Sequence, residues 1–408
     1  MEISILPGDK APDTLLGKKI IKSHSRISSI DLLRGLIMVI MALDHVRDYF
    51  HADTMRFEPN DLQHTNVLLF FTRWITHFCA PGFVLLTGTS AFLSGQRKSK
   101  KQHSWFLIKR GFWLILLELT VINFAWSFNI KLPFLGLQVI WAIGISMIAL
   151  ALFIHLPVKL IAFAGLVLVA AHNLLDTVHF DGFLWAALHE TALFRLNEDH
   201  LLRIAYPVIP WIGLMALGYC LGTVYTPGFD AKHRKKTLVL IGSSAIVLFI
   251  LLRSINQYGD MQSWSEQKST IFTFLSFLNT SKYPPSLLYL LMTIGPVLIF
   301  LAFMEKKKNN HLERALVHFG RVPMFYYILH LYLLHLFAMV AAQLSGYGWQ
   351  SMILVRRPWI DPQLKGYGFS LMATYGVWVL IVLLLYPICK WYDMYKTKHK
   401  EKWWLSYL

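Results

Sequence analysis

The sequence predicts an all-α integral membrane protein, a bundle of about ten transmembrane helices with both termini in the cytoplasm. Three observations carry this. Apolar residues of the 408-residue chain come in long runs, such as Ser286 to Phe303, of about the length that spans a bilayer. Hydrophobic residues make up 55% of the chain and charged residues only 15%, against roughly 25% charged in a soluble domain. Lys and Arg alternate between successive connecting segments, as they do when one set faces the cytoplasm. An aromatic content of 14% with this apolar fraction also excludes disorder.

Ten apolar stretches can be marked in order: Ile30–Phe50, Asn66–Leu93, Trp105–Trp126, Leu137–Phe153, Val158–Ala171, Tyr206–Thr223, Thr237–Leu252, Ser286–Met304, Met324–Leu344 and Phe369–Tyr386. The fifth and seventh are short, which leaves tilted, half-buried or re-entrant arrangements open. Residues 1–29 read as a cytoplasmic tail, 30–391 as one membrane domain and 392–408 as a second cytoplasmic tail. Of the 39 Lys and Arg, 26 fall in the tails and the connections on their side, ten in the alternate connections, and Arg34, Arg47 and Arg73 inside spans. This bias places both termini inside and explains most of the +16 net charge, so no nucleic-acid partner is required. The expected location is the cell inner membrane. Cys79, Cys220 and Cys389 lie in separate apolar stretches and read as buried apolar residues. The longer connections, about 172–205, 253–285 and 345–368, fall on the non-cytoplasmic side and are of the kind that carries function.

Ionisable residues inside spans are costly, about 2.5–3.5 kcal/mol each on insertion scales, so each needs a reason. In the first span, at 100° per residue, Arg34 and His45 differ by only about 20° around the axis, with His45 roughly 16 Å further along it. Asp31 and Tyr49 share the stripe, which predicts a face turned to the bundle interior or to a water-filled cavity. Asp31 and Arg34 can also pair with each other near the helix end. Asp44, Arg47 and Asp48 read as mutually neutralising charges at the outer interface. Arg73 and His77 lie four apart in the second span. The Thr87-Gly88-Thr89-Ser90 cluster reads as a close helix approach, with a backbone-lined groove as the alternative. Glu118 and Asn123 are isolated polar groups satisfied by pairing or by solvation. In the ninth span Tyr326 and His330 share a face, whereas His330 and His335 lie about 140° apart. No His-Glu-x-x-His spacing is present, so no metal is expected.

The run Arg26-Ile-Ser-Ser-Ile-Asp31-Leu-Leu-Arg34-Gly35, with a histidine eleven residues after the arginine, resembles the transmembrane acyltransferase superfamily. Within it the chain is most similar to the bacterial proteins related to heparan-alpha-glucosaminide N-acetyltransferase. The resemblance extends through Phe83–Gly95, Leu137–Ile148, Lys282–Pro296, Phe319–His335 and Trp403–Leu408. It implies a helix bundle that takes an acetyl or short acyl group from cytoplasmic acyl-CoA to a sugar amine or hydroxyl across the membrane, with membrane lipids around it and a homodimer as an open expectation. The arginine and histidine of the superfamily's first span match Arg34 and His45. The lysosomal enzyme has asparagine at the position of His45 and its catalytic histidine further on, where Arg56 stands here with His51 and His64 on either side. It has aspartate at the position of His77.

Acyl transfer from a thioester needs a base for the acceptor proton, for which histidine is suited, and donors for the developing oxyanion. The expected catalytic set is His45, Arg34, Asp31, His51, His77 and Arg73, with Tyr49 a further oxyanion donor. The CoA phosphates would meet Arg97, Lys98, Lys101, Arg110 and Arg321. The rival reading is a secondary transporter or channel in which the intramembrane Asp, Arg and His form a proton or substrate path. A non-enzymatic lipid-binding or assembly protein is a third.

Overall fold

The structure, a computed structural model, describes residues 27–305 and 310–406. Most of the N-terminal tail, with Arg26 of the opening motif, lies outside the described residues, as do Lys306, Lys307, Lys308, Tyr407 and Leu408.

Every one of the ten apolar stretches is built around helix. In chain order the helices are α1 (Ser28–Phe50), α2 (Val67–Trp74), α3 (Cys79–Gly95), α4 (Lys100–Leu117), α5 (Asn123–Ser127), α6 (Val139–Phe153), α7 (Val158–Ala171) and α8 (Phe183–Leu188). They continue with α9 (Ile209–Leu221), α10 (Ala231–Ile255), α11 (Thr270–Leu278), α12 (Leu287–Phe303), α13 (His311–Arg321), α14 (Pro323–Leu344) and α15 (Leu371–Lys398). Side-chain caps set several starts: Asn66 for α2, Asp230 for α10, Ser286 for α12 and Ser370 for α15, while Asn310 and Glu313 form a capping box on α13. The seventh stretch is longer than its apolar part because the cap at Asp230 starts α10 within the basic Lys232–Lys236 run, and Lys and Arg propagate helix well. α15 runs without a break to Lys398, past residue 392, where the C-terminal tail was expected to begin.

Among the described residues, five helical segments can cross a membrane by length and composition: 67–95, 158–175, 231–255, 323–344 and 371–398. α6, α9 and α12 are apolar but shorter, and α1 carries Asp31, Arg34, Asp44, Arg47 and Asp48.

The fold is not purely helical. A three-stranded sheet, in the order β1 (Phe134–Leu137), β3 (Leu201–Ile204), β2 (Ala192–Arg195), packs Leu137 and Ile204 with Ala186 and Ala187 of α8. Four-residue strands are too short for an alternating pattern to show, and β1 ends inside an apolar stretch, which is why the sequence reads as helix alone. Glu118 and Asn123 join this sheet to the bundle by pairing. They lie at a π-helical turn between α4 and α5. Glu118 Oε2 accepts from the N–H groups of Ile140 and Trp141 at the start of α6, both at 3.1 Å. Asn123 accepts from Gly136 N at 2.8 Å and donates to Gly136 O at 3.2 Å.

Glycines face each other where helices pack. Gly88 on α3 lies against Gly218 on α9, Gly111 on α4 against Gly144 on α6, and Gly242 on α10 against Gly295 on α12. Small residues let backbones approach in a setting where lipid is as apolar as leucine. The Thr87–Ser90 cluster takes this role in part: Thr89 donates to Gly218 O at 3.0 Å. The tightest approach is between α1 and α13. A Cβ on Gly35 would run into the backbone carbonyl of Leu316, and one on Gly320 into that of Asp31. Gly320→Val should therefore destabilise the protein by more than about 3 kcal/mol, since neither backbone can yield without moving a helix. Thermal unfolding of the detergent-solubilised protein checks this; an unchanged midpoint would show that the close approach is not required.

Candidate active site

α1 is the central helix, and its two ends open into two cavities. The cavity near its C-terminal half, of about 280 Å³, is lined by Asp44, His45, Arg73, His77, Lys282 and Arg357 among others. The cavity near its N-terminal end, about 950 Å³, is lined by Asp31, Arg34, Arg97, Arg110, Arg234 and Arg321 among others. The stripe expected on α1 thus faces the interior, but its two halves serve different spaces. They come close elsewhere. On α3, Phe83 lines the first cavity and Thr87 the second; on α14, Tyr327 lines the first and Met324 the second. Three or four residues are about one helical turn, roughly 5.4 Å.

His45 stands at the wall of the first cavity. Its Nδ1 lies 2.7 Å from Nε2 of His330, a buried residue of α14, and the two rings stack at 5.0 Å. His330 Nδ1 lies 3.0 Å from the carbonyl oxygen of Tyr326, one turn earlier on the same helix. A carbonyl only accepts, so His330 Nδ1 carries the proton. With both rings neutral, His330 Nε2 accepts, His45 Nδ1 donates to it, and His45 Nε2 is left with a free lone pair. Trp126 packs its ring edge-on against His45 at 5.0 Å and Tyr327 does so at 6.1 Å, which holds the imidazole plane.

Beside His45 is a charge cluster. Both oxygens of Asp44 accept from Arg73 Nη1 at 2.8 Å, Oδ1 also from Thr76 at 2.9 Å, and Arg47 Nη2 lies 2.7 Å from both Asp44 and Asp48. Lys282, from the loop before α12, adds a contact at 3.8 Å. Asp44 is therefore an interior hub, where the sequence reads as giving only an interface charge neutralised by Arg47 and Asp48. His77 lines the same cavity; its carbonyl accepts from Tyr289 Oη at 2.8 Å.

Other expected members fall elsewhere. His51 follows α1 and does not line the cavity: its Nδ1 lies 3.2 Å from the Phe369 carbonyl, and burial holds its imidazole below the ordinary value. Tyr49 is fully buried and donates to the Trp126 carbonyl at 2.7 Å, so its hydroxyl is occupied away from the cavity. Asp31 and Arg34 form the expected pair at 3.1 Å, yet both line the second cavity. Arg34 Nη2 donates to Ser90 at 2.8 Å and Nη1 to the Gly320 carbonyl at 3.1 Å. Arg321 approaches Asp31 at 3.5 Å.

The expected phosphate ligands divide in the same way. Arg97, Arg110 and Arg321 line the second cavity, joined by Arg234 and Lys396. Lys98 instead lies over the Phe106 ring at 3.8 Å, and Lys101 is exposed on α4; neither lines the cavity. Among the described residues lining the second cavity, cations outnumber the one carboxylate, Asp31, although Arg234 also pairs with Glu305 at 2.7 Å and Arg321 with Asp393 at 3.4 Å; Phe106, Tyr225 and Phe229 supply aromatic surface. Among the described residues no group of His, Cys, Asp and Glu is arranged to hold a metal ion.

His330, Lys282 and Arg357 were missed as site residues. An in-span histidine four residues from an in-span tyrosine was a usable signal for the first; nothing local marks the loop residues. No curated protein sequence matches the chain. The model of one family, the catalytic region of heparan-alpha-glucosaminide N-acetyltransferase, matches residues 26–253, from the start of α1 to the end of α10. That is more than half of the chain and includes both ends of α1, Arg73 and His77, while Lys282, His330 and Arg357 lie beyond it. The chain is an integral membrane protein that belongs to the heparan-alpha-glucosaminide N-acetyltransferase catalytic family.

Proposed function

We propose that the protein is a membrane acyltransferase that moves an acetyl or short acyl group from cytoplasmic acyl-CoA to a sugar amine or hydroxyl on the outer side of the membrane. The observation that carries this reading is a histidine with a free ring nitrogen in one cavity, whose lining on α3 and α14 comes within a helical turn of the lining of a large basic cavity. The positive-inside bias assigns the basic cavity to the cytoplasmic face.

In this reading the CoA phosphates rest on Arg97, Arg110, Arg234 and Arg321, with Arg34 at the inner end. The pantetheine arm reaches between Phe83 and Thr87 of α3 toward His45. There the acceptor nitrogen or oxygen attacks the thioester carbonyl, its bond to carbon forms, and the carbon–sulfur bond breaks. His45 Nε2 takes the acceptor proton, and the departing CoA thiolate takes it in turn. Transfer by way of an acyl-histidine would use the same nitrogen as nucleophile. Arg73, Lys282 and His77 line the cavity beside His45 and are the donors available to the oxyanion. His330 is a positioning residue: it fixes the tautomer of His45 and touches no substrate.

Radiolabelled acetyl transfer from acetyl-CoA to amino sugars, with the protein in nanodiscs, tests the assignment. His45→Ala should lower turnover by about 100-fold or more. His330→Phe should lower kcat by at least about tenfold with the KM for acetyl-CoA unchanged, because the ring position survives and the proton acceptor does not. Incorporation unaffected by both would refute the site. Uptake of sugar into proteoliposomes without CoA would favour the transport reading instead.

Substitutions in the second cavity should give the opposite pattern. Arg97→Gln and Arg110→Gln should each raise the KM for acetyl-CoA by about tenfold and leave kcat within a few-fold. A loss confined to kcat would mean that the basic cavity does not hold the donor.

A further inference from the structure

Acyl transfer to an amine moves two protons. An amine of the α-amino kind ionises near pH 8, so at neutral pH it arrives as an ammonium with no lone pair for attack. One proton must leave before the attack and a second during it. His45 Nε2 holds one lone pair and serves the second step. The first step needs another acceptor in the same cavity.

Tyr283, from the loop before α12, lines that cavity in an unusual setting. Lys282 Nζ stands 5.2 Å from its ring centroid and Arg73 Cζ stands 6.0 Å from it. Tyr206 meets the ring edge-on, with centroids 5.4 Å apart, and the two side chains are hydrogen-bonded. With two cations beside Tyr283, the charge-favoured arrangement has Tyr206 donating and the Tyr283 oxygen accepting. The other lining groups are engaged or closed in. Asp44 is held by Arg47, Arg73, Thr76 and Lys282. His77 is 3% exposed, with its ring against Tyr289 at 5.4 Å. Tyr283 is 39% exposed, so it meets both an entering acceptor and water.

These neighbours act on the phenol in opposite directions. Burial pushes its hydroxyl up, while Lys282, Arg73 and the hydrogen bond from Tyr206 pull it down, against Asp44. The cations prevail, and the hydroxyl lies below the ordinary tyrosine value. Tyr289 of α12 and Tyr327 of α14 complete the titratable groups around it. An arriving ammonium adds a further positive charge and favours the phenolate more. A phenolate so tuned approaches an amine in basicity, which suits proton exchange between them.

We propose that Tyr283 is a second proton-transfer group of the His45 cavity, taking from an ammonium acceptor the proton that must leave before attack. The inference rests on the acyltransferase reading, with an amine as acceptor. The phenolate oxygen takes the ammonium proton, which leaves a phenol and a free amine. The amine nitrogen then bonds to the thioester carbon and the carbon–sulfur bond breaks. His45 Nε2 takes the second proton and passes it to the CoA thiolate. Tyr283 returns the first proton to water, so each turnover releases one proton.

The test reads ionisation and turnover separately, on the full-length protein in nanodiscs. Ultraviolet titration of tyrosinate, wild type minus Tyr283→Phe, should show one tyrosine ionising below the ordinary value of about 10. Tyr206→Phe should move that ionisation upward. With saturating glucosamine and acetyl-CoA, Tyr283→Phe should lower kcat about tenfold at pH 7, the share of free amine there, and leave the KM for acetyl-CoA unchanged. The deficit should close above about pH 9, where the amine arrives neutral. A structural lesion would persist at every pH, so a pH-independent loss overturns the proposal. Full activity of Tyr283→Phe at pH 7, no early tyrosinate, or transfer to hydroxyls alone would overturn it too. Should Tyr283→Phe fail to fold, Tyr206→Phe decides: the acid limb of kcat should move to higher pH, and an unmoved limb is refutation. Any of these negatives in a wild type that transfers acetyl leaves the acyltransferase reading standing. A wild type with the early tyrosinate and no transfer to any acceptor refutes that reading, and the catalytic role of Tyr283 falls with it.

Discussion

The interior of this protein is organised around one carboxylate. Asp44 is held by Arg47 one turn away on its own helix, by Arg73 and Thr76 of the following segment, and by Lys282 from a loop more than 200 residues further on. A lone carboxylate in such a place would be prohibitive, and a carboxylate with one partner would be marginal. With three cations and a hydroxyl its oxygens are satisfied, and removing any member leaves the others uncompensated. The cluster therefore fixes the rotation of α1 against its neighbours. His45 is the next residue along, so its imidazole direction is set by charges that take no part in its own hydrogen bond to His330. Under the proposed function this shell would hold His45 rigidly, as a preorganised site requires.

The two cavities make sense together when the barrier is considered. A carrier bearing several phosphates is costly to move through a bilayer, whereas an acetyl group is small and neutral. Under the proposed function the carrier stays on one side and needs only a thin partition, which a single helical turn on α3 and on α14 would supply. α1 contributes to both spaces because its polar residues are placed at its two ends, Asp31 and Arg34 at one and Asp44 to Asp48 at the other, with Ile37, Met38 and Met41 buried between them.

Much of this was legible in the sequence, and the failures follow a physical pattern. Runs of apolar residues located all ten helical stretches because a long hydrophobic helix needs no partner to be recognised. The stripe on α1 was legible because a charge in an apolar run is conspicuous. Asp44 was visible but was read as an interface charge, since its partners Arg73 and Lys282 come from distant segments and local spacing offers only Arg47 and Asp48. His330 was read only for the face it shares with Tyr326, for the same reason: its partner is a ring on another helix. The sheet escaped because four-residue strands carry no period. Lys98 and Lys101 were grouped with Arg97 and Arg110 by composition, but in the α3–α4 turn Lys98 is drawn over the Phe106 ring, and Lys101 faces outward at the start of α4. Arg357 is the extreme case: a loop cation, counted with the topology determinants, becomes a buried one only because Gly136 lacks a side chain.

The histidine pair bears on the departure of this chain from the lysosomal enzyme it resembles, where asparagine stands at the position of His45. An asparagine amide can donate and accept, but it cannot take up a proton at neutral pH. A histidine there changes what the position can do only if its ring is held in one tautomer, for an imidazole free to choose would place its lone pair on either side. The carbonyl of Tyr326 removes that choice through His330, one bond at a time, and the bare nitrogen ends on the cavity side. His45 and the histidine on α14 are therefore one arrangement: under the proposed function His45 is the base and His330 only fixes its tautomer.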